Sequence, residues 1–181
     1  MGCYGDGGAV FTNNDDYADL LRSYRSHGKG GDKYNNVRIG MNSRLDTIQA
    51  AILLEKLSIF PDELERRREV AGSYDAIFQP IVDCPVVPDG YKSGYAQYTV
   101  KAKNRGEVRA VMSEVGVPSV IYYERCLHQQ AAFSYLASQE DGFINAEILS
   151  DTVLSIAIHP YLTNDEVASK ASQVVQGFVD G

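Results

Sequence analysis

The 181-residue sequence has no tryptophan, only three cysteines and three histidines, and neither a long basic run nor a long apolar one. Each shortage excludes a class of function. Cys3, Cys84 and Cys126 are odd in number, far apart and not grouped with histidine at metal-ligand spacing, so neither a disulfide framework nor a metal site is expected. Three reduced thiols in a cytoplasmic protein is the reading they favour. The longest basic stretch is Arg66-Arg67-Arg68, in a chain with 17 Lys+Arg against 24 Asp+Glu and a formal net charge of −7. No stripe exists that could neutralise several phosphates, which argues against nucleic acid and against an anionic membrane surface as partners. No apolar run approaches the ~18 residues of a membrane helix, and Met1 leads into glycines rather than a signal region; no membrane association and a cytoplasmic location are therefore expected.

What is present is enough apolar side chain to build a core, 44% hydrophobic against 23% charged. That is the composition of an ordinary globule of one domain, or a domain plus a fragment. The opening run Gly2-Cys3-Tyr4-Gly5-Asp6-Gly7-Gly8 reads as a tight turn entering a short strand over Ala9-Val10-Phe11-Thr12. Tyr17, Leu20, Leu21 and Tyr24 at helical spacing predict a first helix, stopped near His27-Gly28. The polar, glycine-rich stretch from Gly28 to Gly40 predicts a surface loop free to move. Ser43-Arg44-Leu45-Asp46 fits the S-x-x-[DE] capping box and predicts the start of a long amphipathic helix, with Pro61 opening a second one. On that second helix Arg66-Arg67-Arg68 lie one turn from acidic residues and predict a solvated, salt-bridged face. Beyond Pro80, strands over 95–103, 118–123 and 153–158 alternate with helices over 105–115, 146–151 and 164–179, an α+β pattern.

A capped helix start with an amide and a guanidinium beside it is a physically complete anion site, which singles out Asn42-Ser43-Arg44. The alternative at this level is that Asn42 and Ser43 only cap while Arg44 is solvated. The glycine clusters match neither nucleotide-phosphate fingerprint, and His27, His128 and His159 are scattered.

Three segments go beyond generic pattern: GCYGDGGAVFTNNDDYADLLRSYRSHG, YNNVRIGMNSRLDTIQAAILLEKL and LSIAIHPYLTNDEV. They resemble the C-terminal half of DegT/StrS-type nucleotide-sugar aminotransferases, above all those acting on 3-keto UDP-sugar uronates for O-antigen synthesis in lipopolysaccharide. The resemblance implies an α/β to α+β fold, the C-terminal part of a fold type I pyridoxal-phosphate enzyme. Residues 1–42 would be a remnant of the large domain, and 43–181 the paired helices and small domain. It implies pyridoxal 5'-phosphate as cofactor, UDP-sugar and glutamate as substrates, and a homodimer or larger oligomer. It also implies that the Schiff-base lysine lies upstream of residue 1, so the isolated chain is expected to be inactive. No catalytic residue is assigned within it. By motif, Asn42 matches an asparagine that reaches the cofactor phosphate of the neighbouring subunit, and Arg44 an arginine near the sugar or its carboxylate. Tyr122 and His128 match substrate-binding positions, although Glu124-Arg125-Cys126 departs from the usual proline-containing run. A noncatalytic dimerisation module, or a sugar-nucleotide dehydrase of the same superfamily, is the alternative.

Overall fold

The computed structural model describes residues 2, 4–32, 34–136 and 142–179. The chain divides into two compact units, 1–61 and 62–181, later than the boundary expected after residue 42. The first unit holds helix α1 (Asp15–Tyr24) and the first half of helix α2 (Thr47–Phe78). Asn14 caps α1 by accepting from the Tyr17 amide at 3.0 Å, and Asp15 and Asp16 face the positive end of its dipole. The strand expected over residues 9–12 is not formed: Val10 and Phe11 are 72% and 92% exposed, and no strand among the described residues lies beside them. An isolated extended segment has no ladder to join. Two helices meeting at Pro61 were also expected, whereas α2 runs unbroken for 32 residues with Pro61 inside it. Proline removes one helical hydrogen bond there, and the strong helix formers on both sides carry the helix across.

The second unit holds the core. Strands β1 (Tyr98–Lys101), β2 (Ser119–Val120) and β3 (Val153–Ile156) form an antiparallel sheet in the order β1-β3-β2, with Tyr98 and Ser119 both opposite Ile156. The central strand β3 is buried at all four positions, and its one polar side chain, Ser155, shares a 2.8 Å hydrogen bond with Thr99. Helices α3 (Arg105–Glu114), α4 (Ile144–Thr152) and α5 (Asn164–Val179) follow the predicted helical segments within a few residues. Val70, Ala71, Tyr74 and Phe78 of α2 pack with Val108 and Met112 of α3, Val167, Ala171 and Val174 of α5, and the sheet. Each set recurs at helical spacing, which is why one face of each helix is apolar.

A capping box forms from Thr163 to Glu166. The Thr163 hydroxyl accepts from the Glu166 amide at 3.2 Å, and the Glu166 carboxylate accepts from the Thr163 amide at 2.8 Å. The Thr163 amide, together with the Thr163 hydroxyl, which donates to the same carboxylate at 2.9 Å, holds the Glu166 carboxyl below its usual range. A depressed carboxylate contributes stability above its unfolded pKa and loses it as pH falls through the folded value. Thr163→Ala is therefore expected to lower the melting temperature by about 2–4 °C at neutral pH, and by less once Glu166 is protonated. Thermal melts at a series of pH values from 7 downward check this.

Candidate functional site

The segment leaving α1 doubles back on itself. The His27 amide donates to the Met41 carbonyl at 3.0 Å, and the Ser43 amide to Arg25 at 2.9 Å, which together pair Ser26 with Asn42. Further in, the Val37 amide donates to Gly28 at 2.9 Å and the Gly30 amide to Asn35 at 2.7 Å. Ser23, buried at the end of α1, donates from its hydroxyl to the Lys29 carbonyl at 2.6 Å and accepts from Arg38 at 3.3 Å. The stretch expected to move freely is thus a pinned hairpin, closed by glycines. Gly28 has φ +73°, and a Cβ on it would stand 1.9 Å from the Arg38 carbonyl oxygen. A Cβ on Gly40 would stand 2.2 Å from the Gly28 nitrogen. Only glycine permits backbones to approach this closely.

Asn42 emerges from that hairpin with its Oδ1 accepting from Arg44 Nε at 3.0 Å. A guanidinium can only donate, so the amide atom facing it must be the oxygen. That leaves the Asn42 NH2 group and the other N–H groups of Arg44 as the donors of the pair. The expected helix cap is not what organises the pair. The helix starts at Thr47, and the Ser43 amide is already spent on Arg25. Pattern reading missed Gln49, whose side-chain amide accepts from the Tyr4 amide at 2.8 Å and donates to the Tyr4 carbonyl, anchoring the glycine-rich opening to α2.

In the second unit, His128 Nε2 is 2.9 Å from Glu147 and its ring lies against Phe143 at 4.7 Å. That leaves Nδ1 as the atom available to a ligand. Tyr122 is partly exposed and packs edge-on against Tyr123 at 5.6 Å. Asn42 and Arg44 are thus joined to each other, while Tyr122 and His128 each have their own neighbour. Gln97 lies just before β1, and His159 stands against Tyr161 at 6.4 Å.

The arginine triplet does more than the solvated face expected of it. Arg66 and Arg68 pair with Glu69 at 2.7 Å and Glu65 at 2.9 Å. Arg66 also donates to the Leu162 carbonyl at 2.6 Å, Arg67 to Tyr95 and Ile158, and Arg68 to Ser93. These arginines clamp the loops flanking β1 and β3. Beside them, Tyr98 is fully buried and donates to Asp75 at 2.6 Å; burial and that carboxylate push its phenol far above the ordinary range. Burial also raises the Cys84 thiol, so Cys84 is a packing residue, not a nucleophile. Among the described residues no group of His, Cys, Asp and Glu could hold a metal ion, and no helix is long and apolar enough to cross a membrane.

Comparison with known proteins adds to this geometry. The model of the DegT/DnrJ/EryC1/StrS aminotransferase family matches residues 1–175. The chain is 41% identical, over 90% of its length, to UDP-2-acetamido-2-deoxy-3-oxo-D-glucuronate aminotransferase of Pseudomonas aeruginosa, of which it covers 44%. It superposes with a TM-score of 0.93 and 45% identity on a DegT DnrJ EryC1 StrS aminotransferase from Brucella abortus, covering 98% of this chain and 48% of that one. S. venezuelae DesV, solved with a ketimine intermediate, gives 0.91 at 30% identity, covering 97% of this chain and 47% of that one. The chain therefore spans about half the length of the relatives it matches.

Proposed function

Since the chain belongs to the DegT/DnrJ/EryC1/StrS aminotransferase family, we propose that it is the C-terminal portion of an enzyme that transfers an amino group from glutamate to a 3-keto nucleotide sugar. Its fold is that of the C-terminal part of fold type I aminotransferases. In this reading residues 1–42 derive from the large domain and 43–181 form the α2 region and small domain. The product serves bacterial surface polysaccharide, including O-antigen, and is made in the cytoplasm. The observation that carries the reading is the fixed Asn42–Arg44 pair, with its remaining donors, in a chain that matches the family over residues 1–175.

Pyridoxal 5'-phosphate is the family's cofactor in the complete enzyme, and when bound it supplies the electron sink for amino transfer. The donor set of this chain fits its phosphate: the Asn42 amide and the Arg44 guanidinium present N–H groups only, held by the hairpin before any ligand arrives. Asn42 would hold the phosphate of the neighbouring subunit's cofactor through its NH2 group. Arg44 offers a planar fork to the sugar or its carboxylate. His128, steadied through Nε2 by Glu147, and Tyr122 contact the substrate. A homodimer or larger assembly is part of the reading, supported by the exposed apolar residues Phe11, Ile48 and Leu54 of the first unit.

The test uses the complete polypeptide, because no lysine within this chain is assigned the covalent role. Supplied with pyridoxal phosphate, glutamate and UDP-2-acetamido-2-deoxy-3-oxo-D-glucuronate, it is expected to form 2-oxoglutarate and the 3-amino sugar at a rate on the order of 1 s⁻¹ or faster. Loaded enzyme that leaves both substrates unchanged would refute the reading.

A further inference from the structure

Between β2 and α4 the second unit carries a pocket of about 470 Å3, lined by Ile121, Tyr123, Glu124, Arg125 and Gln130. The turn that carries them is held by its own hydrogen bonds. The Cys126 amide donates to the Gln129 side chain at 3.2 Å, and the amides of Gln129 and Gln130 donate to Cys126 and Leu127 at 3.1 and 3.0 Å. This single turn folds the chain so that Arg125 and Gln130, five positions apart in sequence, line one cavity. The pocket's acid is already engaged: Glu124 lies 3.4 Å from Arg109. Arg125 has no ion pair or hydrogen bond to another described residue. The lining thus offers one guanidinium with no partner among the described residues, a side-chain amide and a phenol, beside the apolar Ile121. The two parallel N–H groups of a guanidinium fork match the two oxygens of a carboxylate.

We infer that Arg125, with Gln130 and the Tyr123 hydroxyl, forms a carboxylate-binding subsite for one of the two acidic reactants, the uronate sugar or glutamate. The inference rests on the aminotransferase reading above and names residues that determine its specificity. Arg125 binds its carboxylate in the ground state and in the transition state alike, so its loss raises KM and leaves kcat nearly unchanged.

The experiment measures KM for both reactants in the complete enzyme, for wild type, Arg125→Ala and Arg125→Lys. Arg125 is exposed and outside the core, so both variants fold, which circular dichroism verifies. Arg125→Ala is expected to raise KM for one carboxylate reactant about tenfold and to leave the other within twofold, with Arg125→Lys in between. If the sugar is the reactant affected, turnover of the corresponding neutral 3-keto sugar, which lacks the carboxylate, is unchanged by Arg125→Ala; if glutamate is affected, it changes with both sugars. Active Arg125→Ala enzyme with both KM values within twofold of wild type would overturn the subsite alone. Wild-type enzyme inactive toward keto sugars would remove the aminotransferase reading and the subsite with it.

Discussion

Gly28→Ala is expected to speed hydrogen exchange of the backbone amides over residues 23–43 by roughly 30-fold or more, the equivalent of at least ~2 kcal/mol of local stability. Two costs combine. A left-handed backbone at φ +73° is unfavourable by about 1–2 kcal/mol for any residue with a Cβ. The new Cβ would also stand 1.9 Å from the Arg38 carbonyl oxygen and 2.5 Å from its carbon, atoms of the backbone that no side-chain rotation can move. The hairpin has to open, and the first bonds at risk are the two that Val37 and Arg38 donate to the Gly28 carbonyl. Gly40 faces the same junction from the other side, so its alanine variant is expected to act alike. Exchange in Gly28→Ala within threefold of wild type would contradict this description of the loop. The consequence reaches function, because the hydrogen bonds on either side of Asn42 belong to the same hairpin.

The parts of this fold that are legible in the sequence are those governed by neighbours one turn or one strand away. The apolar spacing of Val167, Ala171 and Val174 marks α5, and the β-rich run around Tyr98 to Lys101 marks β1. Misreadings arose where a distant group decides. Ser43 to Asp46 and Thr163 to Glu166 both satisfy a capping-box pattern, yet only the second is one, because the Ser43 amide is taken by Arg25, 18 residues earlier in the chain. The arginine triplet has acidic neighbours at helical spacing, which suggested a solvated face. Its further partners at Ser93, Tyr95, Ile158 and Leu162 are invisible to any local window. The opening strand failed for the converse reason, since a β-favouring run states a preference but supplies no partner. At the candidate site Asn42 and Arg44 were recognisable as a donor pair, whereas the device that fixes them is a glycine-closed hairpin and not a helix cap. The Gly28–Gly40 approach that closes it depends on two residues twelve positions apart whose pattern alone indicates only a loop.

The second large effect concerns Asn42 itself. Its amide oxygen is committed to Arg44, so its NH2 group is the atom set that a cofactor phosphate would meet. A hydrogen bond from a neutral amide to a phosphate is charge-assisted and contributes about 1.5–3 kcal/mol, or roughly 10- to 100-fold in binding. Asn42→Ala removes that donor and also releases Arg44 from its fixed orientation. Asn42→Asp keeps the bond to Arg44 but turns a second acceptor, with a negative charge, toward the phosphate, and is expected to weaken binding further. Neither change touches the core, since the residue is exposed and the flanking bonds at Met41 and Ser43 are made by backbone alone. The measurement is a spectrophotometric titration of the complete enzyme with pyridoxal phosphate, comparing wild type with Asn42→Ala. A dissociation constant raised 10- to 100-fold is the predicted result; one within twofold of wild type would contradict the assignment of Asn42 to the cofactor phosphate.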